Sequence, residues 1–103
     1  MKYNKLVRDK IPDIIAESGK NVTYRILTDE EYKIELEKKL DEEVAEWHES
    51  KSLEELVDIL EVIRALIGAY GFKHREVLRE QEDKGAERGG FYRKMFLVEV
   101  EDD

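Results

Sequence analysis

Residues 42–60, EEVAEWHESKSLEELVDIL, contain the pattern that decides the fold. Apolar residues recur at helical spacing on both sides of a polar break at Ser50, Lys51 and Ser52. The stretch therefore reads as the end of one helix and the start of the next. Ser52 with Glu55 matches a capping box, and so does Thr28 with Glu31 upstream. The spacing predicts a first long helix over about 29–49 and a second over about 53–70, ended by Gly71. A break this short leaves room only for a tight turn around Ser50 and Lys51, so the two helices fold back as an antiparallel hairpin.

Both helices carry acids against their apolar faces. Each helical residue turns about 100° around the axis. On that wheel the first helix has an apolar stripe of Tyr32, Leu36, Leu40, Val44 and Trp47, with Glu43 inside it and Glu46 at its edge beside Lys39. The second helix has Leu56, Ile59, Leu60, Val62, Ile63, Leu66, Ile67 and Tyr70, with Glu55 inside that arc and Asp58 at its margin. Glu42, Glu49, Glu54 and Glu61 point away, as solvated acids do. In an antiparallel hairpin, residues whose numbers add to one total face each other. Glu46 with Glu55 shares a total with Glu43 and Asp58, so four carboxylates are expected to converge. Like charges at close range repel and resist ionising together. A hard divalent cation with oxygen ligands removes the conflict, and Mg²⁺, or Mn²⁺ in its place, is the expected ion. Taken singly, each acid has a structural explanation: Glu55 as a capping acid, Glu43 as a helical partner of Lys39.

Composition narrows the chemistry. The 103 residues include 18 Lys and Arg against 26 acids, a net charge of −8, which opposes binding to a nucleic-acid polymer. Absence of cysteine removes disulfides, thiolate metal sites and cysteine nucleophiles. Neither His48 nor His74 follows a Glu at the spacing that di-iron bundles use, and zinc sites want more histidine. No stretch approaches membrane-spanning length, and the N-terminus lacks an apolar signal core, so the cytoplasm is the expected location.

Outward from the hairpin, Pro12 opens a short helix that runs to Gly19. NVTYRIL, residues 21–27, and MFLVEV, residues 95–100, read as strands, and a charged third helix spans about 72–84. The expected fold is mainly α, one domain over residues 1–103: a helix hairpin in an oligomeric helical bundle, with a small two-stranded β element. Apolar residues cover most of the second helix, more than the first can bury, so a homodimer or higher homo-oligomer is expected to bury Ile59, Ile63, Leu66 and Ile67.

The pattern EExxE followed by ExxD, here Glu42-Glu43-Val44-Ala45-Glu46 and Glu55-Leu56-Val57-Asp58, resembles the all-α nucleoside triphosphate pyrophosphohydrolases. Together with YNKLVRDKIPDII near the N-terminus, RGGF at 88–91 and the closing MFLVEV, it is similar to a MazG-like, phosphoribosyl-ATP pyrophosphohydrolase-like branch. The chain departs from many MazG proteins in one respect: only eight residues separate Glu46 from Glu55. The resemblance implies Mg²⁺-dependent hydrolysis of a nucleoside triphosphate to the monophosphate and pyrophosphate, a house-cleaning reaction on nucleotides. It makes Glu43, Glu46, Glu55 and Asp58 the metal-binding and catalytic set.

A metal-bound triphosphate also needs cations. Lys5, Arg8 and Lys10 in the N-terminal motif, Lys39 beside the acids, and Lys84 and Arg88 are the candidates for substrate binding. Gly89 and Gly90 would let backbone N–H groups approach an anion, and Phe91 would stack on a base or pack in the core. Trp47 reads as core. Two other functions compete: phosphoribosyl-ATP hydrolysis in histidine synthesis, and a non-catalytic helical dimer acting as adaptor or regulator.

Overall fold

The computed structural model describes residues 1–102 and contains four helices: α1 (Ile11–Glu17), α2 (Asp29–Ser50), α3 (Leu53–Ala69) and α4 (His74–Arg88). The chain divides into two compact units, Met1–Phe72 and a second that begins at Lys73.

In the first unit α2 and α3 pack against each other as the expected hairpin. Thr28 and Glu31 form a complete capping box: the Thr28 hydroxyl accepts from the Glu31 N–H, and the Glu31 carboxylate accepts from the Thr28 N–H. Lys51, in the left-handed region at φ 55°, turns the chain, and its N–H donates to the Trp47 carbonyl. The Lys51 ammonium lies 5.4 Å from the centre of the Trp47 ring. At the far end of α3 the Phe72 N–H reaches the Ile67 carbonyl and the Gly71 N–H that of Gly68. This is a Schellman ending, and Gly71 at φ 80° is the residue it needs. Tyr70 at the close of α3 donates 2.9 Å to Glu37 on α2, which fixes the antiparallel sense.

Leu36 and Val62 are the buried apolar residues of this hairpin. Leu53, Leu56, Val57, Leu60 and Ile63 are exposed and follow helical spacing, so α3 presents a continuous apolar stripe to its surroundings. Ile59, Leu66 and Ile67, expected with Ile63 on an intersubunit face, are half-buried, and Ile63 joins the exposed stripe.

The expected two-stranded β element is absent: among the described residues there is no strand. Residues 21–27 have no regular secondary structure, and Tyr24 and Ile26 are exposed. Arg25 instead makes two bonds to Glu31, at 3.2 and 2.9 Å, tying this segment to the first turn of α2. Residues 95–100 are exposed throughout and belong to the second unit. Alternation marks a chain able to form a strand, but a two-stranded ribbon gains little unless one face is buried, and neither segment has such a face.

The second unit holds α4, a polar helix from His74 to Arg88, longer at its C-terminal end than the spacing predicts. Lys84, Arg88, Gly89, Gly90 and Phe91 all lie here. Gly89 follows the helix at φ 84°. At Gly90 a side chain would meet the exposed Tyr92 ring at 2.8 Å, so the ring would have to swing aside to admit one. Phe91 is fully exposed, which removes the reading of it as a core residue.

Candidate metal centre

The last turns of α2 and the first of α3 bring five carboxylates together in two groups. Glu42, Glu43 and Glu46 form one, Glu43, Glu55 and Asp58 the other, each with one oxygen per residue within 4.8 Å of the rest. Glu43 belongs to both. It shares a group with Asp58, as the hairpin register requires, whereas Glu46 and Glu55 fall in different groups, each beside Glu43.

Glu43 is the exceptional residue. Only 6% of it is exposed, because α2 turns it into the seam between the helices. Its Oε1 lies 3.5 Å from the Lys39 ammonium. Its buried Oε2 has no hydrogen-bond partner among the described residues. A lone carboxylate oxygen in that position is costly. The pKa moves accordingly: burial pushes the Glu43 carboxyl up, the adjacent Glu46 carboxyl pushes it further, and Lys39 only partly opposes them.

Of the other acids, Glu55, Asp58 and Glu42 are better supplied. Glu55 accepts from two hydroxyls, Ser50 at 3.1 Å and Ser52 at 3.4 Å. These bonds take the place of the expected capping box, since the Ser52 side chain makes no cap bond to the helix backbone. Asp58 accepts from Arg8 at 2.7 Å. Glu42 accepts from Lys5 at 3.2 Å and Lys39 at 3.4 Å. Burial works against ionising Glu42, but the two lysines outweigh it and hold its carboxyl below the ordinary range.

Glu42 was expected to face solvent and is instead half-buried in the cluster. The signal was available: Lys39, Glu42, Glu43 and Glu46 stand three, four and seven residues apart on one helical face. Of the expected substrate cations, Lys5, Arg8 and Lys39 touch the acids, while Lys10 caps α1 and is exposed. Two depressions on the hairpin lie elsewhere. One of about 480 Å³ involves Lys33 and Arg64, and an apolar one of about 390 Å³ lies between Leu40, Ile67 and Phe72.

The donor set is all oxygen, and it includes a buried oxygen with no protein donor. Both features fit a hard divalent cation such as Mg²⁺ or Mn²⁺, and neither fits a soft one. Among the described residues no helix is long and apolar enough to cross a membrane.

No protein-family model matches the chain, and no solved structure does. A stretch of 41 residues is 56% identical to an uncharacterized protein of Mycolicibacterium smegmatis. That similarity spans 40% of this chain and 42% of the relative.

Proposed function

We propose that this chain is a divalent-cation-dependent nucleoside triphosphate pyrophosphohydrolase of the all-α, MazG-like kind. One observation carries the reading: the buried Glu43 carboxylate, common to both acidic groups, has an oxygen that no protein donor reaches. Glu43, Glu46, Glu55 and Asp58 would hold the ion, with Glu42 at their edge. When bound, Mg²⁺ supplies charge for the phosphate oxygens and lowers the pKa of a ligated water.

The chain's own residues do the rest. Ser50 and Ser52 fix the Glu55 carboxylate by donating to it. Lys39 balances the charge around Glu42 and Glu43. A carboxylate of the set that is not engaged on the ion accepts the proton of the attacking water. Oxygen then bonds to the α-phosphorus and the bond to the bridging oxygen breaks, releasing nucleoside monophosphate and pyrophosphate.

A homodimer formed along Leu53, Leu56, Leu60 and Ile63 belongs to the same proposal, since that stripe is unpartnered in one chain. The partners are then a nucleotide and a second copy, with no nucleic-acid polymer and no membrane. The cytoplasm, where nucleoside triphosphates are abundant, is the location that fits the activity. Pyrophosphate release from a panel of nucleoside triphosphates with Mg²⁺ tests the proposal. Release from at least one of them, lost on chelation, supports it. A parent protein inactive on every nucleotide and blind to Mg²⁺ makes the non-catalytic adaptor the better reading.

A further inference from the structure

The N-terminal segment before α1 reaches the acids only through its cations. Lys5 bonds to Glu42 across 37 residues of sequence and Arg8 to Asp58 across 50. Little else holds the segment: of residues 1–10 only Leu6 is even half-buried, and α1 packs against no other helix. Both cations are substantially exposed, 46% for the Lys5 side chain and 53% for that of Arg8. Exposed pairs of this kind contribute little to stability, so exchanging their partners costs little.

The charges also balance in a particular way. Five clustered carboxylates carry −5 formally, and Lys5, Arg8 and Lys39 return +3, leaving −2. One divalent cation cancels that remainder. An arriving polyphosphate then adds negative charge on the far side of the ion, and cations held on the acids gain a better partner. Resting on the metal-centre reading above, we infer that residues 4–10 form an exchangeable strap: Arg8, with Lys5 beside it, holds the acids and passes to the phosphates of a bound substrate. Arg8 therefore competes with the metal for Asp58 and cooperates with it for phosphate. A merely structural arginine would favour both.

These opposite signs are the test. Mn²⁺ alone is titrated calorimetrically into the full chain, and inorganic pyrophosphate is then titrated into chain kept saturated with Mn²⁺. Parent, Arg8→Gln, Arg8→Lys and the exposed control Lys20→Gln are compared. Removing one positive charge a few ångströms from the ion should tighten Mn²⁺ binding by about tenfold, and losing a phosphate partner should weaken pyrophosphate by a similar factor. Arg8→Lys, which keeps the charge, should follow the parent toward Mn²⁺, and Lys20→Gln should follow it toward both. If Arg8→Gln weakens both ligands, Arg8 only positions Asp58 and the exchange is overturned while the metal centre stands. An Arg8→Gln chain unchanged toward pyrophosphate overturns it equally. If the parent binds no Mn²⁺, the metal centre and the strap fall together.

Discussion

At the open end of the hairpin, Tyr70 donates to Glu37 and the Lys33 ammonium lies 5.1 Å from the centre of its ring. At the turn end, Glu43 is buried with an oxygen that no donor reaches. Both ends set acids, a cation and an aromatic ring along the same two helices. The open end completes itself: Glu37 has its donor, and its hydrogen bond pushes the Tyr70 hydroxyl's pKa up. The turn end gathers five acids around three cations and leaves an oxygen of the buried Glu43 without a donor. Helices readily satisfy polar groups from within. At the turn end that one buried oxygen is left over, and the proposed metal centre rests on the difference.

The comparison can be broken at several places. The largest effect is expected at the turn end. Glu43→Gln or Glu46→Gln should lower pyrophosphate release by on the order of a hundredfold or more, the loss that follows from several kcal/mol of missing charge stabilisation. Glu54→Gln and Glu61→Gln, exposed on α3, should stay near the parent. Equal activity of the Glu43 and Glu54 variants would remove the acids from the chemistry. Without metal, Glu43→Gln should fold at least as well as the parent, because a buried charge crowded by neighbouring acids is gone.

Assembly comes next. Leu60→Asp puts a charge in the middle of the exposed α3 stripe and should convert a sedimenting dimer to monomer at micromolar concentration. A parent that sediments only as a monomer would show that the stripe is free.

Smaller effects belong to the start of α2, beside the self-completed end. Thr28→Ala removes one half of the capping box and should cost about 1 kcal/mol, read as a fall of several degrees in the melting temperature. It should leave metal binding unchanged. The smallest effect is pH-dependent. The Arg25 guanidinium first, and then the Thr28 N–H, hold the Glu31 carboxyl down at about 2. A carboxyl depressed in the folded state stabilises above its unfolded value near 4.5 and loses that contribution as pH falls toward 2. NMR titration of Glu31 should therefore show a midpoint well below the ordinary carboxylate value near 4.5, and Arg25→Gln should raise it.

The hairpin was legible because its signals are local. Capping residues, a three-residue break and two apolar stripes specify α2 and α3 without reference to the rest of the chain. Glu43 was legible for the same reason, as an acid lying inside an apolar arc. The β element was not, because residues 21–27 and 95–100 carry only the alternation of a strand. Whether a strand pairs depends on a partner and a buried face, which no local pattern encodes. Glu42 reads as solvated because it lies outside the apolar arc, although its spacing from Lys39 and Glu46 places it on their face. The bonds from Lys5 and Arg8 to the acids follow from tertiary placement alone, and no spacing in YNKLVRDKIP announces them.

The central claim, that the turn end holds a divalent cation, is tested most directly by a thermal melt with and without millimolar Mn²⁺, for parent and Glu43→Gln. An ion at about a hundred times its dissociation constant adds about 2.7 kcal/mol to the folded state. For a domain of this size that is a rise of roughly 10 °C or more. The account predicts such a rise in the parent and little or none in Glu43→Gln. A parent that melts at one temperature with and without the ion, or a rise of equal size in both proteins, would contradict it.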